Sequence, residues 1–458
     1  MPLLYVFIGI LILLLLMLRF KLDAFFSLLI TAFIVGFLNS MSTDRVLDSI
    51  LQGIGETTGN IILILVFGAM LGKLIENSGA AHTITNKLIS AFGIKRVQFA
   101  ILITGFLVGI PMMYNASFLV LIPLIYTLAS QTKLPLLYLG IPLSATLSIA
   151  HGYLPPHPAP TYVSFVYGAD INQVLLIGLI PVIPACLLAG ILLSRFFRKV
   201  DVKPPANLFK EKIFSKEELP GLSISLLTVL SPVILMLTGA VIDLVIGVNI
   251  DYRELISEKF TNEILVNLFT GLITITKFFS NANMALFMAV GIGLYTLGIR
   301  QGKKMSDLMK SMGESVSSIA MIILIIAAGG GFKQVLTDSG VSEYIKEIAS
   351  GIVINPLFLA WSVAAIIRLA IGSATVATMT AAGIMLPVMQ ATGVSPELMV
   401  LATGSGSLMF SHFNDVGFWM FKEYYNVSIK QTFAIWTVME SIVAITGLLV
   451  ALLLSQIM

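Results

Sequence analysis

Long runs of apolar residues occupy most of this chain, and short polar or charged stretches separate them. A helix that crosses a bilayer needs about 20 apolar residues. The stretches that approach or exceed this length are 3–18, 23–40, 58–76, 134–166, 171–195, 222–249, 283–299, 316–333, 396–420 and 428–455. Polar residues interrupt 134–166 and 396–420. The pattern predicts an all-α polytopic membrane protein.

Two pairs of shorter apolar segments call for a different interpretation. They are 98–112 with 116–130, and 352–369 with 376–389, and Gly and polar residues lie between the arms of each pair. Each pair fits two spans, but each also fits a re-entrant hairpin that enters and leaves by one face. Charge does not distinguish the two, because both leave the orientation of later spans unchanged. We predict hairpins.

The basic residues indicate the orientation. With both termini outside, the positive charges between spans fall on the cytoplasmic side, as the positive-inside rule requires. They are Arg19, Lys21, Lys87, Lys95, Arg96, Arg195, Arg198, Lys199, Lys203, Lys210, Lys212, Lys216, Arg300, Lys303, Lys304 and Lys310. This holds only if 254–278 does not span, so we predict an interfacial segment there. The run 3–18 lacks the basic region and cleavage site of a signal peptide, and we expect a retained span.

The two halves of the chain resemble each other. Asn77-Ser78-Gly79 aligns with Asp338-Ser339-Gly340, and His151 aligns with His412, both at a separation of 261 positions. We predict a first repeat at 1–200, a cytoplasmic linker at 201–221 and a second repeat at 222–458. Each half has an odd number of spans plus a hairpin, so the second is inverted, as in many secondary carriers. Chance similarity between apolar segments is the alternative.

Composition agrees with lipid as the solvent. The chain is 57% hydrophobic and 11% charged, whereas soluble domains carry about 25% charged residues. A net charge of +3 is too small to indicate nucleic-acid binding. The single cysteine, Cys186, excludes an intrachain disulfide and a thiolate metal cluster. His151 and His157 match no common metal-site spacing, and we expect neither metal nor cofactor.

Polar residues interrupt the apolar pattern at four places, two in each half. They are a first hairpin tip at 109–117, a second hairpin tip at 368–375, a first break at 148–161 and a second break at 404–418. Helices that begin at such points direct the positive ends of their dipoles at an anion. Ordinary Gly/Ser helix packing, or an external loop for the breaks, explains the same residues. We predict that all four meet near the midplane around one ligand.

The side chains of these four places form the candidate site. The proposed ligand-binding residues are Asn115, Ser117, His151, His157, Thr161, Arg368, Ser373, Thr375, His412 and Asn414. Arg368 suits a carboxylate, which it can bind bidentately, although it could equally extend to the membrane surface. Asp415 is the only acidic residue in the four segments, which makes it the candidate proton carrier. A lone buried histidine is more often structural, but His151 and His412 occupy matched positions.

Several ordered motifs carry a resemblance to a known family. They are Phe67-Gly-Ala-Met-Leu-Gly-Lys73, His151-Gly-Tyr-Leu-Pro-Pro-His-Pro158, Gly329-Gly-Gly-Phe-Lys-Gln-Val-Leu336, Gly372-Ser-Ala-Thr-Val-Ala377 and Ser411-His-Phe-Asn-Asp415. With them the chain resembles the gluconate permease family, the gluconate:proton symporters of the ion transporter superfamily. The resemblance implies proton-driven uptake of a small hydroxylated carboxylate across the bacterial inner membrane. It also implies an elevator mechanism and a homodimer.

One departure from the family pattern affects the substrate. Where many relatives have an acidic residue at the first hairpin tip, this chain has Asn115. An amide donates as well as accepts hydrogen bonds. The resemblance therefore leaves open an alternative, a transporter of D-serine or another hydroxy amino acid with different or no proton coupling.

Two other classes of protein compete with a carrier. An intramembrane enzyme would use a serine of Gly404-Ser-Gly-Ser407 with His151 or His412, and a channel would conduct without saturation. The repeated architecture with matched breaks favours a carrier, and we expect no enzymatic activity.

Overall fold

The chain is helical throughout the part that the structure describes. The computed structural model describes residues 2–200, 202–205, 218–247, 251–260, 262–341, 343–344 and 354–457, and these ranges contain no strand. Most of the predicted linker 201–221 and the first two residues of the predicted arm 352–369 lie outside them. Nine described helices are long and apolar enough to cross a membrane, or ten if the bent pair Ala80–Phe92 and Ile94–Gly109 is one span. The prediction of an all-helical polytopic membrane protein is confirmed.

The first half contains ten helices within the described ranges. They are α1 (Pro2–Leu18), α2 (Ala24–Leu38), α3 (Thr43–Ser78), α4 (Ala80–Phe92), α5 (Val97–Gly109), α6 (Tyr114–Thr132), α7 (Leu136–Tyr153), α8 (Pro158–Tyr167), α9 (Ile171–Ala185) and α10 (Leu193–Phe196). A π-helical turn, Cys186–Leu192, joins α9 to α10.

The second half continues the same architecture. Its described helices are α11 (Leu222–Ile246), α12 (Tyr252–Lys259), α13 (Glu263–Ser280), α14 (Ala282–Gly293), α15 (Met305–Ser318), α16 (Ala320–Asp338), α17 (Pro356–Ile371), α18 (Ala374–Thr392), α19 (Pro396–Gly406), α20 (Val416–Tyr424), α21 (Ile429–Thr432) and α22 (Val438–Leu454). Two further π-helical turns occur in this half: Leu294–Gly298 follows α14, and Phe433–Thr437 joins α21 to α22.

Short polar side chains start many of these helices. The Asp23 carboxylate accepts from the Phe26 N–H at the start of α2, and Asp170 accepts from the N–H groups of Asn172 and Gln173 at the start of α9. Such caps satisfy amide groups that the first helical turn leaves without partners. Polar residues between apolar runs therefore fix where each helix begins.

The outer surface is apolar, as a lipid-facing surface should be. Large side chains such as Ile183, Leu227 and Leu244 are exposed on helices that meet the length and composition of a span. Many buried hydroxyls turn back onto their own helices, as when Thr31 Oγ1 donates to the Ser27 carbonyl at 2.8 Å. These hydroxyls are thus satisfied internally, which hydrocarbon demands.

The predicted interfacial segment 254–278 falls on α12 and α13. Helix α13 is itself long and apolar enough to cross a membrane, and only Val266 and Ser280 within it are buried. Lys277 Nζ joins it to α11 by contacting both oxygens of Asp243, at 2.6 and 2.5 Å. Length does not separate a spanning helix from an interfacial one, so the interfacial placement stays a prediction. The same holds for the two hairpins, since α6 and α18 also meet the criteria for a span.

Two contacts between the halves mirror each other. Asn77 at the end of α3 donates from Nδ2 to Ser311 Oγ at 2.5 Å. Asp338 at the end of α16 accepts from Ser49 Oγ at 2.7 Å. Asn77 and Asp338 are 261 positions apart, and Ser49 and Ser311 are 262 apart. The end of each of these helices thus contacts a serine of the opposite half. We refer to these as the reciprocal contacts.

A cation of the opposite half also binds the end of each helix. Lys303 Nζ donates to the Asn77 carbonyl at 3.0 Å, and Arg45 Nη2 donates to the Asp338 carbonyl at the same distance. The free carbonyls at a helix C-terminus carry partial negative charge, which a cation stabilises. The reciprocal contacts are therefore electrostatic as well as geometric.

Helices α3 and α16 approach each other backbone to backbone. A Cβ atom on Gly330 would lie 2.1 Å from Thr57 Oγ1 and 2.6 Å from the Gly53 carbonyl oxygen. Only glycine fits at both positions, because any side chain would push the helices apart. This crossing holds the two halves together at the centre of the molecule.

Candidate functional site

Helical structure stops at each of the four predicted interruptions. The gaps between helices are 110–113 at the first hairpin tip, 372–373 at the second, 154–157 at the first break and 407–415 at the second. Proline and glycine explain where they fall, because proline cannot donate to the helix and glycine adopts conformations that other residues avoid. Helices therefore end and begin at all four places.

The second hairpin tip is held closely against the second break. Gly372 has φ of +82°, and a Cβ there would lie 2.2 Å from the Asn414 carbonyl oxygen. Ser373 then caps α18 by accepting from the Val376 N–H at 3.3 Å. Asn414 Nδ2 donates to the carbonyls of Leu369 at 3.0 Å and Ala370 at 3.2 Å. The amide of Asn414 thus satisfies the end of α17.

Both hairpin tips and both breaks contribute to one cavity of about 280 Å³. We call it the central cavity. From the predicted site it is lined by Asn115, His151, Arg368, Ser373, Thr375, Asn414 and Asp415. Tyr114, Ser148, Trp436 and Glu440 complete most of its polar and aromatic wall. The structure therefore brings together the two tips that the sequence separates by more than two hundred residues.

Arg368 is the cation of the central cavity. Its side chain is only 2% exposed, and its Nη2 donates to Asp415 Oδ2 at 2.5 Å. Its Nε and Nη1 atoms have no partner among the described residues. A buried donor left without an acceptor is unfavourable, and a charged one more so. Arg368 therefore offers two donors to an anion that enters the cavity.

Asp415 is fully engaged by protein donors. Besides Arg368 it accepts from Ser411 Oγ at 2.5 Å and from the Gly417 N–H at 3.0 Å. The last of these caps α20. Asp415 thus orients Arg368 and starts a helix at the same time.

A second carboxyl group in the cavity was absent from the sequence-based site. Glu440 on α22 is 1% exposed, lines the central cavity, and accepts from Ser148 Oγ. It lies inside the apolar run 428–455, which the sequence reading treated as a plain span. An acidic residue within such a run is itself a signal of function, and it could have identified Glu440.

Aromatic residues form one wall of the cavity. The rings of Tyr114 and Trp436 meet edge to face with centroids 5.8 Å apart, and Phe118 stacks on Tyr114 at 5.9 Å. Trp436 Nε1 donates to Ser411 Oγ at 2.7 Å, and Ser411 Oγ in turn donates to Asp415, so this wall is linked to Asp415 by hydrogen bonds. The first hairpin tip thereby packs against the last helix of the chain.

Four predicted residues do not line the central cavity. Ser117 is buried and donates to the Met112 carbonyl at 3.3 Å, and Thr161 is buried within α8. His157 lines a separate small cavity, with its ring edge to face on His151 at 5.3 Å. His412 stacks on Phe413 and contacts Asn414 Oδ1. The polar atoms of Ser117 and His412 therefore serve local structure, whereas Thr161 Oγ1 and His157 Nε2 are buried without a hydrogen-bond partner among the described residues.

The serines proposed for the alternative of an intramembrane enzyme form hydrogen bonds within their own segment. Ser405 Oγ donates to the Ala402 carbonyl and Ser407 Oγ donates to the Gly404 carbonyl. In the described ranges no group of three or more His, Cys, Asp or Glu side chains is placed to hold a metal ion.

Comparison with known proteins identifies full-length relatives. A family model described as GntP family permease matches residues 1–457. The Gnt-II system L-idonate transporter of Escherichia coli is 44% identical, and a high-affinity gluconate transporter of the same organism is 42% identical. Each alignment covers 100% of both chains. A gluconate permease of Bacillus subtilis is 40% identical over 99% of each chain.

Two solved structures share the fold at low sequence identity. The YdaH transporter of Alcanivorax borkumensis has a TM-score of 0.60 and 16% identity, covering 90% of this chain and 89% of its own. MtrF of Neisseria gonorrhoeae, described within a class of antimetabolite efflux pumps, has a TM-score of 0.67 and 14% identity, covering 93% of each chain.

Proposed function

Because the chain belongs to the GntP family of permeases, we propose that it is a symporter that brings a sugar acid, such as gluconate or idonate, into the bacterial cell together with protons. Membership confirms the resemblance drawn from the sequence motifs, and it makes the protein a membrane transporter rather than an enzyme. The relatives named for gluconate and L-idonate, 42% and 44% identical, support a sugar acid as the substrate.

The free donors of Arg368 are the observation that carries this proposal. The substrate carboxylate accepts from one of the free donors, Nε or Nη1, which have no partner in the described part of the chain, while Asp415 holds Nη2. Charge-assisted hydrogen bonds from a guanidinium are among the stronger polar contacts in proteins. Asp415 holds the guanidinium of Arg368 in position, which orients the substrate carboxylate as it binds.

Uncharged polar groups of the cavity suit the hydroxyls of a sugar acid. Asn115, Ser373 and Thr375 line the cavity and offer both donors and acceptors. Tyr114 and Trp436 give the opposite wall an apolar surface for the carbon chain. In our proposal four predicted residues outside the cavity lining support this arrangement: Ser117, His157, Thr161 and His412.

Proton coupling follows from the charge of the substrate. A cell that is negative inside opposes the entry of an anion by about 2.3 kcal/mol per charge per 100 mV. A proton that travels with a monoanion cancels this opposition. Accumulation of a sugar acid therefore needs a group that carries the proton, and carboxyl groups line the cavity.

We propose two inverted repeats, 1–200 and 222–458, that work as an elevator in the inner membrane with both termini outside and a homodimer as the unit. The reciprocal contacts support the repeat, because residues at nearly equal separations exchange partners between the halves. Irregular helix ends around a shared cavity are typical of carriers with such repeats.

Uptake into proteoliposomes tests the proposal. Purified protein should accumulate labelled gluconate when the outside is more acidic than the lumen, and a protonophore should remove the accumulation. Unlabelled idonate should compete, and D-serine should not. Vesicles without protein provide the baseline.

Two results would contradict parts of this function. If only D-serine is taken up, the substrate is a hydroxy amino acid, as the amide of Asn115 allows. If gluconate enters without saturating and without responding to the proton gradient, the protein conducts passively and is not a symporter.

A further inference from the structure

Glu440 is a buried carboxyl group that substrate binding, as described above, leaves unused. It is 1% exposed, and its one hydrogen-bond partner within the described residues is Ser148 Oγ. None of the ion pairs found in the described ranges involves it. Asp415, by contrast, is held by Arg368, Ser411 and the Gly417 amide. Of the two carboxyl groups in the cavity, only Glu440 lacks a cation.

The groups around Glu440 do not supply that cation. The titratable side chains that face it from the packed elements are His151 and Tyr153 on α7, Arg368 on α17, Asp415 before α20 and Tyr114 on α6. Arg368 is the one permanent cation among them, and its contact is with Asp415. The Tyr153 hydroxyl donates to the Val443 carbonyl instead. A carboxylate buried without a cation beside it is costly, whereas its neutral protonated form is much less so.

The fold itself does not require an acid at this position. Ile171-Asn172-Gln173 and Ile429-Lys430-Gln431 align the last long helices of the two halves at a separation of 258 positions. The same separation pairs Glu440 with Val182, which is buried in α9. An apolar residue therefore fills the equivalent place in the first half. Glu440 also lies three residues beyond the π-helical turn Phe433–Thr437, a feature often found at functional sites.

From this geometry we propose that Glu440, rather than Asp415, binds and releases the transported proton. The inference rests on the proposed symport and names its proton site. In the outward-facing state a Glu440 carboxylate oxygen takes a proton from water in the cavity, and the sugar acid binds to Arg368. On the inner side the substrate leaves and the proton returns to water, which restores the carboxylate.

The net charge of the site explains why the proton and the sugar acid travel together. With Glu440 ionised, the empty site holds Arg368, Asp415 and Glu440 with a net charge of −1. A bound monoanion would make this −2 in a medium of low dielectric, where repulsion is strong. Protonation of Glu440 returns the loaded site to −1. Each ligand therefore favours binding of the other, as linkage requires.

Substitution of Glu440 by glutamine separates coupling from transport. The amide keeps the size of the side chain and an oxygen that accepts from Ser148, but it cannot carry a proton. In proteoliposomes E440Q should exchange labelled for unlabelled gluconate at a rate comparable to wild type. It should not accumulate gluconate under a proton gradient, and its exchange should be independent of pH. Gluconate added to wild-type vesicles should alkalinise the medium, and addition to E440Q vesicles should not.

Three further variants distinguish this role from a structural one. D415N should lose gluconate binding, because Arg368 loses the group that orients it. E423Q, which changes an exposed acid on α20, should behave as wild type. S148A tests the site even if E440Q fails to fold. It removes the donor to Glu440, and the pH profile of accumulation should then move to higher pH.

The outcomes separate this inference from the proposed symport. Undiminished proton-driven accumulation by E440Q, or an S148A pH profile unchanged from wild type, would overturn the role of Glu440 and leave the symport intact. If wild-type vesicles show no proton-driven accumulation of any sugar acid, the symport itself fails, and the inference fails with it.

Discussion

At the scale of single residues, the arrangement around Arg368 makes the sharpest prediction about substrate. Arg368→Lys keeps the charge but loses the fork of donors, so it should retain contact with Asp415 and bind gluconate weakly. Hydrogen bonds to charged groups are worth about 1.5–3 kcal/mol, and the loss should weaken binding by about 10- to 100-fold. Isothermal titration of gluconate into detergent-solubilised protein measures the change.

Arg300→Lys is the matched control, because Arg300 is exposed and lies outside the central cavity. It should bind as wild type does. Equal affinity of the Arg368→Lys protein and wild type would remove the guanidinium from substrate recognition.

The sequence predicted some cavity residues and missed others for a physical reason. Arg368 and Asp415 stand out because they are charged residues close to a glycine, Gly372 and Gly417, where a helix ends or begins. Glu440 lies in an unbroken helical run, so the pattern indicated only a span. Ser117 and Thr161 were chosen by their position along the chain. Which way a side chain faces depends on packing that a one-dimensional pattern does not contain.

At the scale of elements, the helix interruptions were predictable because the residue types at those positions determine them. Gly372 and the closely spaced prolines around 155–160 are residue types that favour the end of a helix. The length of α3 was not predictable in this way. The apolar run suggested 58–76, but the helix begins at Thr43, where Ser42 caps it. Polar residues extend the helix beyond the apolar region because α16 packs along it.

The tight contact at the second hairpin tip predicts an unequal response of two glycines. Gly372→Ala should destabilise the protein and reduce gluconate binding, because the new methyl group meets the Asn414 backbone. Gly393→Ala is the matched control: Gly393 also has positive φ, +66°, but no atom lies within 4 Å of its Cβ position. It should show only the strain of the left-handed conformation, about 1 kcal/mol.

Thermal unfolding and gluconate binding of both variants measure this difference. A Gly372→Ala protein as stable and as active as the Gly393→Ala protein would show that the tip is not held against the second break.

At the scale of the whole molecule, sequence similarity between the halves indicated a repeat but not how the halves touch. The matched separation of Asn77 and Asp338 was visible in the sequence. Their partners, Ser311 and Ser49, were not, because a hydroxyl on a polar helix face carries no mark of its contact. Long-range contacts of this kind depend on the fold as a whole.

Because α3 of the first half packs closely against α16 of the second, we predict that two separate fragments assemble. Chains 1–205 and 218–458, produced together, should copurify and bind gluconate, since α3 and α16 bury their faces against each other. Gly330→Leu in the second fragment should abolish copurification, because its side chain meets Thr57 and Gly53. Gly313→Leu, where no atom lies within 4 Å, is the matched control and should leave assembly intact. Assembly of the Gly330→Leu fragment would show that the crossing is not what joins the halves.

The reciprocal contacts also impose an order on biogenesis. Asn77 leaves the ribosome 234 residues before its partner Ser311, so the first half enters the lipid with the end of α3 unmatched. Asp338 is synthesised 289 residues after its partner Ser49. The half-made protein therefore carries an unpaired polar group at a helix end until Ser311 has been made.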